Sequence, residues 1–239
     1  MTLTGQVFPI MSGLANQQEI SEVVKSVDKF LKDSQLGGYR LNTDFGLRHY
    51  LDFGRAFGFA FGTKENGAFF SHMIVMYAYS LYKQGFVRQG FEVLNSIYTM
   101  CMDSARAKIY PGIPEYFDSQ GRGMYPYLTG SASWLVLTKL MQVFGVRGEA
   151  GDLLIAPKLV AEEFSKNGEA RARFQFAGKR VEIIYKNKTQ LDFKDYQIKD
   201  VTINSQNFSF ERISPNVVKI KKSAISSSSS PVIIQVILN

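Results

Sequence analysis

Residues 109–134 read IYPGIPEYFDSQGRGMYPYLTGSASW, an aromatic and glycine-rich stretch that runs into an apolar segment. Its glycines, prolines and scattered charges follow neither a helical nor an alternating pattern, so the first part is predicted to be an irregular loop. A helix is predicted to start directly after Thr129, because threonine is a common N-cap residue and the apolar residues from Trp134 onward continue the segment. The stretch therefore predicts a long loop that ends at the first turn of a helix.

Working outward, the chain before residue 150 carries the pattern of helices. The run Asn16–Glu19 has the form of a capping box, and apolar residues follow it on one helical face: Ile20, Val23, Val24, Val27 and Leu31. Similar periodicity predicts helices over residues 69–82, 87–105 and 130–145. The connections 37–67 and 106–129 are long for a compact domain, which is typical of functional loops.

After residue 150 the pattern changes to short alternating segments separated by turn residues. Strands are predicted over residues 153–155, 170–176, 180–185, 197–203, 207–213, 217–220 and 232–238. The expected fold class is multidomain, with helices first and an antiparallel β-sandwich second. The expected domains are residues 1–150 and 151–239.

Composition narrows the class of protein. The 28 Lys and Arg exceed the 21 Asp and Glu, but the net charge of +7 is spread along the chain, so nucleic acid is not an expected partner. The single cysteine, Cys101, excludes an intrachain disulfide and favours a reducing compartment. Neither a signal peptide nor a membrane-spanning run is present, so we expect a cytoplasmic protein without membrane partners.

Two places in the helical region could bind an anion. At Thr129–Gly130, the first turn of a helix presents unpaired backbone N–H groups, glycine allows close approach and the threonine hydroxyl can donate. Threonine at this position is more often simply an N-cap. The second place is the polar loop that holds Lys64 and Glu65 and leads to His72, where a histidine is more often a core residue bonded to backbone.

Other kinds of site have no support in the sequence. One cysteine and two histidines give no zinc spacing, so no metal ligand is expected. There is no nucleophile elbow, P-loop or dinucleotide fingerprint. Loop aromatic residues could stack on sugar rings, although about half should simply pack: Tyr110, Tyr116, Phe117, Tyr125, Tyr127 and Trp134.

Several motifs, in this order, resemble glycoside hydrolase family 94, the inverting β-glucoside phosphorylases. They are Gly37–Gly46, Lys64–Gly67 with His72 following, Ile113–Phe117, Gly121–Tyr125, Tyr127–Trp134, Phe144–Gly148 and Gly151–Leu154. The combination of Asn66–Met73 with Ile113–Phe117 is most similar to 1,2-β-oligoglucan phosphorylases and to the phosphorylase-like region of cyclic β-1,2-glucan synthases. The resemblance covers residues 5–165 well and the strand region more loosely.

The resemblance implies a fold. Residues 1–150 would be the C-terminal helices of an (α/α)₆ barrel catalytic domain, and residues 151–239 a jelly-roll-like antiparallel β-sandwich. A whole family member also has an N-terminal β-domain and the first part of the barrel. We therefore expect the chain to be the C-terminal portion of such an enzyme, with self-association or a homodimer of the parent enzyme.

The resemblance also implies a reaction, the reversible phosphorolysis of β-linked gluco-oligosaccharides to α-D-glucose 1-phosphate. Phosphate replaces the water of an inverting hydrolase, so one carboxylic acid suffices, and no cofactor is needed beyond phosphate as co-substrate. By motif, the implied phosphate ligands are His72, Gln120, Thr129 and Gly130, and the implied substrate contacts are Lys64 and Glu65. The general acid of the family lies in the barrel segment before this chain, so we expect no catalytic residue here and no turnover alone.

Two alternatives remain open. The chain could be a non-catalytic module that binds glycans or docks a partner through its sandwich. It could also be part of a cyclic β-1,2-glucan synthase. Phosphate affinity distinguishes these interpretations. An enzyme-derived site predicts that His72→Ala or Thr129→Ala weakens it, whereas a binding module predicts no effect.

Overall fold

The structure, a computed structural model, describes residues 1–46, 50–110, 112–127 and 129–239, so Leu128 of the predicted phosphate motif lies outside the described residues. The fold is mixed α/β. Two compact units divide the chain, Met1–Thr138 and Lys139–Asn239.

The first unit is mainly helical. Its α-helices are α1 (Thr4–Ser12), α2 (Gln17–Phe30), α3 (Tyr50–Phe53), α4 (Ser71–Lys83), α5 (Val87–Met102), α6 (Ser104–Ala107) and α7 (Gly130–Leu137). A 3-10 turn, Gly54–Gly58, follows α3, and a π-helical segment, Thr138–Val143, follows α7. An antiparallel sheet is formed by β1 (Phe69–Phe70), β2 (Tyr116–Phe117) and β3 (Gly123–Met124). No helix in the described ranges combines the length and the apolarity that a bilayer span requires.

The predicted capping box at the start of α2 is confirmed. The Asn16 side chain accepts a hydrogen bond from the Glu19 backbone N–H at 3.0 Å, and Glu19 accepts from the Asn16 N–H at 2.8 Å. Two of the N–H groups that a helix start leaves unpaired are thereby satisfied. Ile20 and Val27, which share one face of α2, are buried.

Helix α4 lies at the centre of the helical unit. It packs against α1, α5 and α7. Because it is apolar on nearly every side, it is buried along most of its length, as expected of a core helix. Its buried residues are Ser71, Ile74, Val75, Met76, Tyr77, Ala78, Ser80, Leu81 and Tyr82.

The second unit consists mainly of strands. They are β4 (Val146–Glu149), β5 (Asp152–Ile155), β6 (Glu169–Phe176), β7 (Lys179–Lys186), β8 (Ile198–Ile203), β9 (Gln206–Asn207), β10 (Glu211–Ser214), β11 (Val217–Ile220) and β12 (Val232–Leu238). A 3-10 turn, Ala161–Glu163, precedes β6, and the short helix α8, Lys222–Ser226, precedes β12. One sheet has the order β10-β11-β5-β4, and the other has the order β6-β7-β12-β8-β9.

Two features of this unit differ from the sequence-based expectation. The purely antiparallel arrangement is corrected, because β12 runs parallel to β7, from Val232 opposite Val181 to Ile237 opposite Lys186. A parallel pair needs a long crossover, which residues 187–231 supply. The division after Thr138 also comes earlier than the expected 150/151 boundary, because Val146–Glu149 pairs with Asp152–Ile155 in the same sheet.

A substitution at Gly90 of α5 tests how closely α4 and α5 pack. A Cβ at Gly90 would lie 2.5 Å from Cδ2 of the buried Tyr82 ring. We therefore expect Gly90→Ala to lower the free energy of unfolding by about 1–3 kcal/mol, although alanine is the better helix former. Urea unfolding followed by circular dichroism measures the change. Asn95→Ala, at an exposed position of α5, is the matched control and should be neutral or stabilising.

Candidate functional site

Three consecutive backbone carbonyls join the starts of two helices. The hydrogen bonds run from Thr129 Oγ1 to Ile113 O (3.0 Å), from Ser131 Oγ to Pro114 O (3.0 Å) and from Ser71 N to Glu115 O (2.9 Å). Ser71 begins α4, and Thr129 is the N-cap of α7. The Ile113–Glu115 segment therefore holds both helix N-termini at one place.

The two helix starts approach each other at His72 and Gly130. A Cβ built at Gly130 would lie 2.9 Å from Cε1 and 3.0 Å from Nδ1 of the His72 ring. Any larger residue at position 130 would clash with the His72 ring, so this close approach requires glycine. The ring also packs against Trp134 of α7, with 6.0 Å between the ring centroids. The structure therefore brings together two of the predicted phosphate ligands, His72 and Gly130.

The environment of His72 is unusual for a structural histidine. Its Nε2 is buried and has no hydrogen-bond partner in the described part of the chain. Burial lowers the pKa of His72 below its ordinary value of 6.5, and the negative charge of Glu115 opposes this shift. A buried polar atom without a partner requires an explanation, and an absent ligand is one.

Thr129 serves as the N-cap of α7. Its side-chain oxygen accepts a hydrogen bond from the Ala132 N–H at 3.3 Å and lies 2.8 Å from Ser131 Oγ. Its hydroxyl proton is donated to Ile113 O. The capping role is therefore present in the structure, and donation to an anion would require Thr129 to exchange its bond to Ile113.

The loop that carries Lys64 and Glu65 is held by two buried asparagines, Asn42 from outside the loop and Asn66 within it. Asn42 accepts from the Gly67 N–H at 2.9 Å through Oδ1 and donates to Asn66 Oδ1 at 3.3 Å. Asn66 donates to Phe59 O at 2.9 Å, and the Gly62 N–H donates to Asn66 O at 2.6 Å. These bonds satisfy the polar groups that the loop would otherwise bury unpaired.

Arg40 supports the same loop. Its guanidinium donates to Gly67 O at 3.0 Å, forms an ion pair with Asp33 at 2.8 Å and stacks over the Phe69 ring at 4.6 Å. Arg40 and Asn42 both belong to the Gly37–Gly46 motif. The motif thus positions the loop through side chains that contact its backbone.

Lys64 and Glu65 have different partners. The Lys64 ammonium lies 4.6 Å from the centroid of the Tyr125 ring and 5.5 Å from that of Phe59. Glu65 Oε1 pairs with Arg55 at 3.1 Å, while Glu65 Oε2 is buried without a hydrogen-bond partner among the residues described. Lys64 therefore offers ammonium donors, and Glu65 offers one unused carboxylate oxygen.

Tyr125 connects this loop to the His72 region. Its backbone carbonyl accepts from the Glu115 N–H at 3.1 Å, and Glu115 in turn binds the start of α4. Tyr125 also lies 6.1 Å from the Tyr116 ring. Burial first, and then the charges of Tyr125, Asp118, Glu115 and Glu65, raise the pKa of Tyr116. Lys64 and Glu65 thus belong to the same neighbourhood as Glu115.

Gln120 is placed differently. It lies in the turn between β2 and β3, where its backbone N–H donates to Asp118 Oδ1 at 2.8 Å and its side chain is exposed. Phe117 pairs with Gly123, so the turn is at the end of the hairpin opposite Glu115. Across the described ranges, no contact joins Gln120 to His72, Thr129 or Gly130. Its role as a phosphate ligand stays a prediction.

Glu115 and Ser131 are parts of the site to which sequence reasoning assigned no phosphate or sugar contact. Both lie in motifs quoted for the resemblance, but a single carboxylate in a loop and a serine in a helix start carry no chemical signal by themselves. Their importance follows from the hydrogen bonds of Ser131 to Pro114 and of Glu115 to Ser71. Such bonds join residues that are distant in sequence.

The geometry suits an anion. The N-termini of α4 and α7 bring partial positive charge to one place, and His72 adds a nitrogen without a partner there.

Residues 1–145 match the model of the catalytic domain of the glycosyl hydrolase 94 superfamily. The chain belongs to this family. The motif-based resemblance to family 94 is thereby confirmed, and every residue of the site lies within the matched range.

The chain is also similar to the cellobionic acid phosphorylase of Neurospora crassa. The two are 26% identical over 177 residues, which cover 66% of this chain and 21% of that protein. The family 94 chain thus spans about a fifth of the length of this relative.

The low pKa of His72 can be measured directly. In a His49→Gln background, His72 is the remaining histidine, and its ring resonances in an NMR titration report its pKa. We expect a pKa below 6.5, and a further decrease in Glu115→Gln because the opposing negative charge is lost. Glu182→Gln in the strand unit is the control and should leave the value unchanged.

The same shift affects stability. When the pH falls through the ordinary value of 6.5, the unfolded chain takes up the proton before folded His72 does, so acidification destabilises the native state. A His72 pKa at or above 6.5 would contradict both expectations.

Proposed function

We propose that this chain contributes the phosphate-binding part of the active site of an inverting β-glucoside phosphorylase. The observation that carries the proposal is the meeting of two helix N-termini at His72 and Gly130, with His72 Nε2 buried and unpartnered in the described structure. Family membership and the similarity to a phosphorylase agree with it.

In the proposed reaction, a phosphate oxygen forms a bond to the anomeric carbon while the bond from that carbon to the glycosidic oxygen breaks. The leaving oxygen takes its proton from a carboxylic acid that we expect outside this chain. The product is α-D-glucose 1-phosphate with inverted configuration. The task of this chain is to hold the phosphate close to the sugar.

His72 can act as a donor to the phosphate through Nε2. Its lowered pKa favours the neutral ring in the free protein, and a bound anion would raise that pKa. Phosphate binding would then be coupled to proton uptake. Gly130 allows the anion to approach the first-turn N–H groups of α7, and Thr129 adds a hydroxyl once its bond to Ile113 is exchanged.

We further propose that Lys64 and Glu65 contact the sugar and that Gln120 joins the phosphate ligands through a movement of the β2–β3 turn. Lys64 offers donors to sugar hydroxyls, and the unpartnered oxygen of Glu65 offers an acceptor. A mobile role for Gln120 is compatible with its exposed side chain.

At the level of the fold, we propose that the helical unit represents the last helices of an (α/α)₆ barrel and that the strand unit is a jelly-roll-like β-sandwich. Helix α7 supports this because it is apolar around its circumference, yet Val136 and Leu137 remain 57% and 43% exposed. A helix of this kind is normally covered on all sides. Further barrel helices or self-association of the parent enzyme would cover it.

The proposed substrates are β-linked gluco-oligosaccharides, with β-1,2 linkages favoured by the combination of Asn66–Met73 and Ile113–Phe117. The name of the Neurospora relative indicates cellobionic acid, so an acidic disaccharide is a competing substrate class. The alternatives are a non-catalytic glycan-binding or assembly module and a part of a cyclic β-1,2-glucan synthase.

Calorimetric titration of the purified chain with inorganic phosphate tests the site. We expect His72→Ala to weaken phosphate binding by about tenfold or more, because a donor to an anion is lost. Thr129→Asp keeps an acceptor for the Ala132 N–H but repels phosphate through its charge. Because aspartate cannot donate to Ile113 O, the free energy of unfolding of this variant is measured alongside its phosphate affinity. Ser133→Ala, at an exposed position in the first turn of α7, is the matched control and should bind normally.

If the wild-type chain binds no phosphate, the proposal fails and the glycan-binding module becomes the better interpretation. Equal affinity of wild type, His72→Ala and Thr129→Asp would have the same meaning, because binding would then take place elsewhere on the chain.

Linkage preference is tested in a complete family 94 enzyme that carries this sequence. We expect kcat/KM for phosphorolysis of sophorose to exceed that for cellobiose, laminaribiose and cellobionic acid by about tenfold or more. If cellobionic acid is instead the preferred substrate, the β-1,2 preference is wrong and an acidic disaccharide is the substrate class.

A further inference from the structure

The six aromatic residues that could stack on sugar rings, about half of which were expected simply to pack, divide into distinct groups in the structure. Tyr116 and Phe117 are 4% and 0% exposed and belong to the core. Trp134 packs between His72 and Tyr79. Tyr110 and Tyr127 are 83% and 70% exposed, and the described structure gives neither a ring partner.

Tyr125 is the exception. It is 43% exposed, yet its ring has defined neighbours, the Lys64 ammonium at 4.6 Å and the Tyr116 ring at 6.1 Å. A half-exposed ring held in one orientation is what stacking on a ligand requires, because little side-chain freedom is then lost on binding.

Both residues of this contact, Tyr125 and Lys64, have a strained backbone conformation. Tyr125 has a φ of 53° and Lys64 a φ of 45°, in the left-handed region that bulky side chains rarely adopt. Glycine would relieve the strain at either position. Strained residues that meet each other in this way concentrate at ligand-binding sites.

We propose that Tyr125 is a sugar-stacking residue of the active site, with Lys64 as the residue that positions its ring. This inference rests on the proposed phosphorylase function and adds a contact for the glucosyl unit. Lys64 covers one face of the Tyr125 ring, and the exposed part of the ring receives the C–H face of the sugar.

The chemistry of a β-linked glucosyl unit fits this arrangement. Its hydroxyl groups are equatorial, so the two faces of the pyranose ring present C–H groups that pack against an aromatic ring. Around the edge, hydroxyls require donors and acceptors, and the Lys64 ammonium and Glu65 Oε2 are close in sequence and available. Stacking therefore complements the polar contacts of the Lys64–Glu65 loop.

The test titrates the full chain with sophorose and with cellobiose by calorimetry, and separately with inorganic phosphate. We expect Tyr125→Phe to keep sugar affinity within about twofold and Tyr125→Gly to weaken it by about five- to tenfold. Both should leave phosphate affinity unchanged. Tyr125→Gly should melt no earlier than the wild type, because glycine relieves the positive φ.

Tyr127→Ala is the matched control, since Tyr127 is an exposed tyrosine of the same loop. Its sugar affinity should equal that of the wild type. Lys64→Gly should also weaken sugar binding, because a proposed sugar contact and the residue that positions the Tyr125 ring are both lost. The loss should be smaller in a Tyr125→Gly background, where no ring remains to be positioned.

Three results would overturn the inference: no sugar binding by the wild-type chain, undiminished binding by Tyr125→Gly, or an equal loss in Tyr127→Ala. These outcomes are distinguishable from failure of the proposed function, which appears as a lack of phosphate binding. Sugar binding through Tyr125 without phosphate binding would support the stacking contact in a glycan-binding module.

Discussion

The carbonyl groups of Ile113, Pro114 and Glu115 are the contacts on which the arrangement of the site depends. They accept hydrogen bonds from the starts of α7 and α4, two helices that are far apart in sequence and packed together in the core. A long loop can bring polar backbone into a protein interior only if its groups are paired. Here the pairing itself creates the site, because it sets two positive helix ends side by side.

The close approach of His72 and Gly130 follows from that arrangement. It places an imidazole in a buried position where its charged form is disfavoured and one nitrogen is unpartnered among the described residues. In a purely structural role such an atom would cost stability. The cost is intelligible if an anion completes the hydrogen bonding. The nearby negative charge of Glu115 partly offsets the loss of proton affinity that burial causes at His72.

Local patterns predicted much of the fold. The capping box at Asn16 with the apolar face that follows it predicted α2, and the apolar run Val232–Leu238 after a serine-rich turn predicted β12. Each signal lies within one element. The pattern missed α1, which contains Pro9, and β1 to β3, whose strands of two residues are too short to show a period. The segment 207–213 was predicted as one strand but contributes to β9 and β10 in different sheets. For the candidate site, motifs predicted roles for His72 and Gly130, which the structure brings together. The contacts of Glu115 and Ser131 are long-range hydrogen bonds that no local pattern signals.

Asn42 and Arg40 hold the backbone of the loop around Gly67 and not the side chains that the loop presents. They contact the backbone of the loop or the flanking Asn66 and leave the side chains at positions 64 and 65 out of the supporting network. A substitution at Lys64 or Glu65 therefore leaves intact the hydrogen bonds from Asn42 and Arg40 that hold the loop. Such exchanges would alter the groups that the loop offers to a ligand, while Asn42 and Arg40 would hold the backbone in the same place.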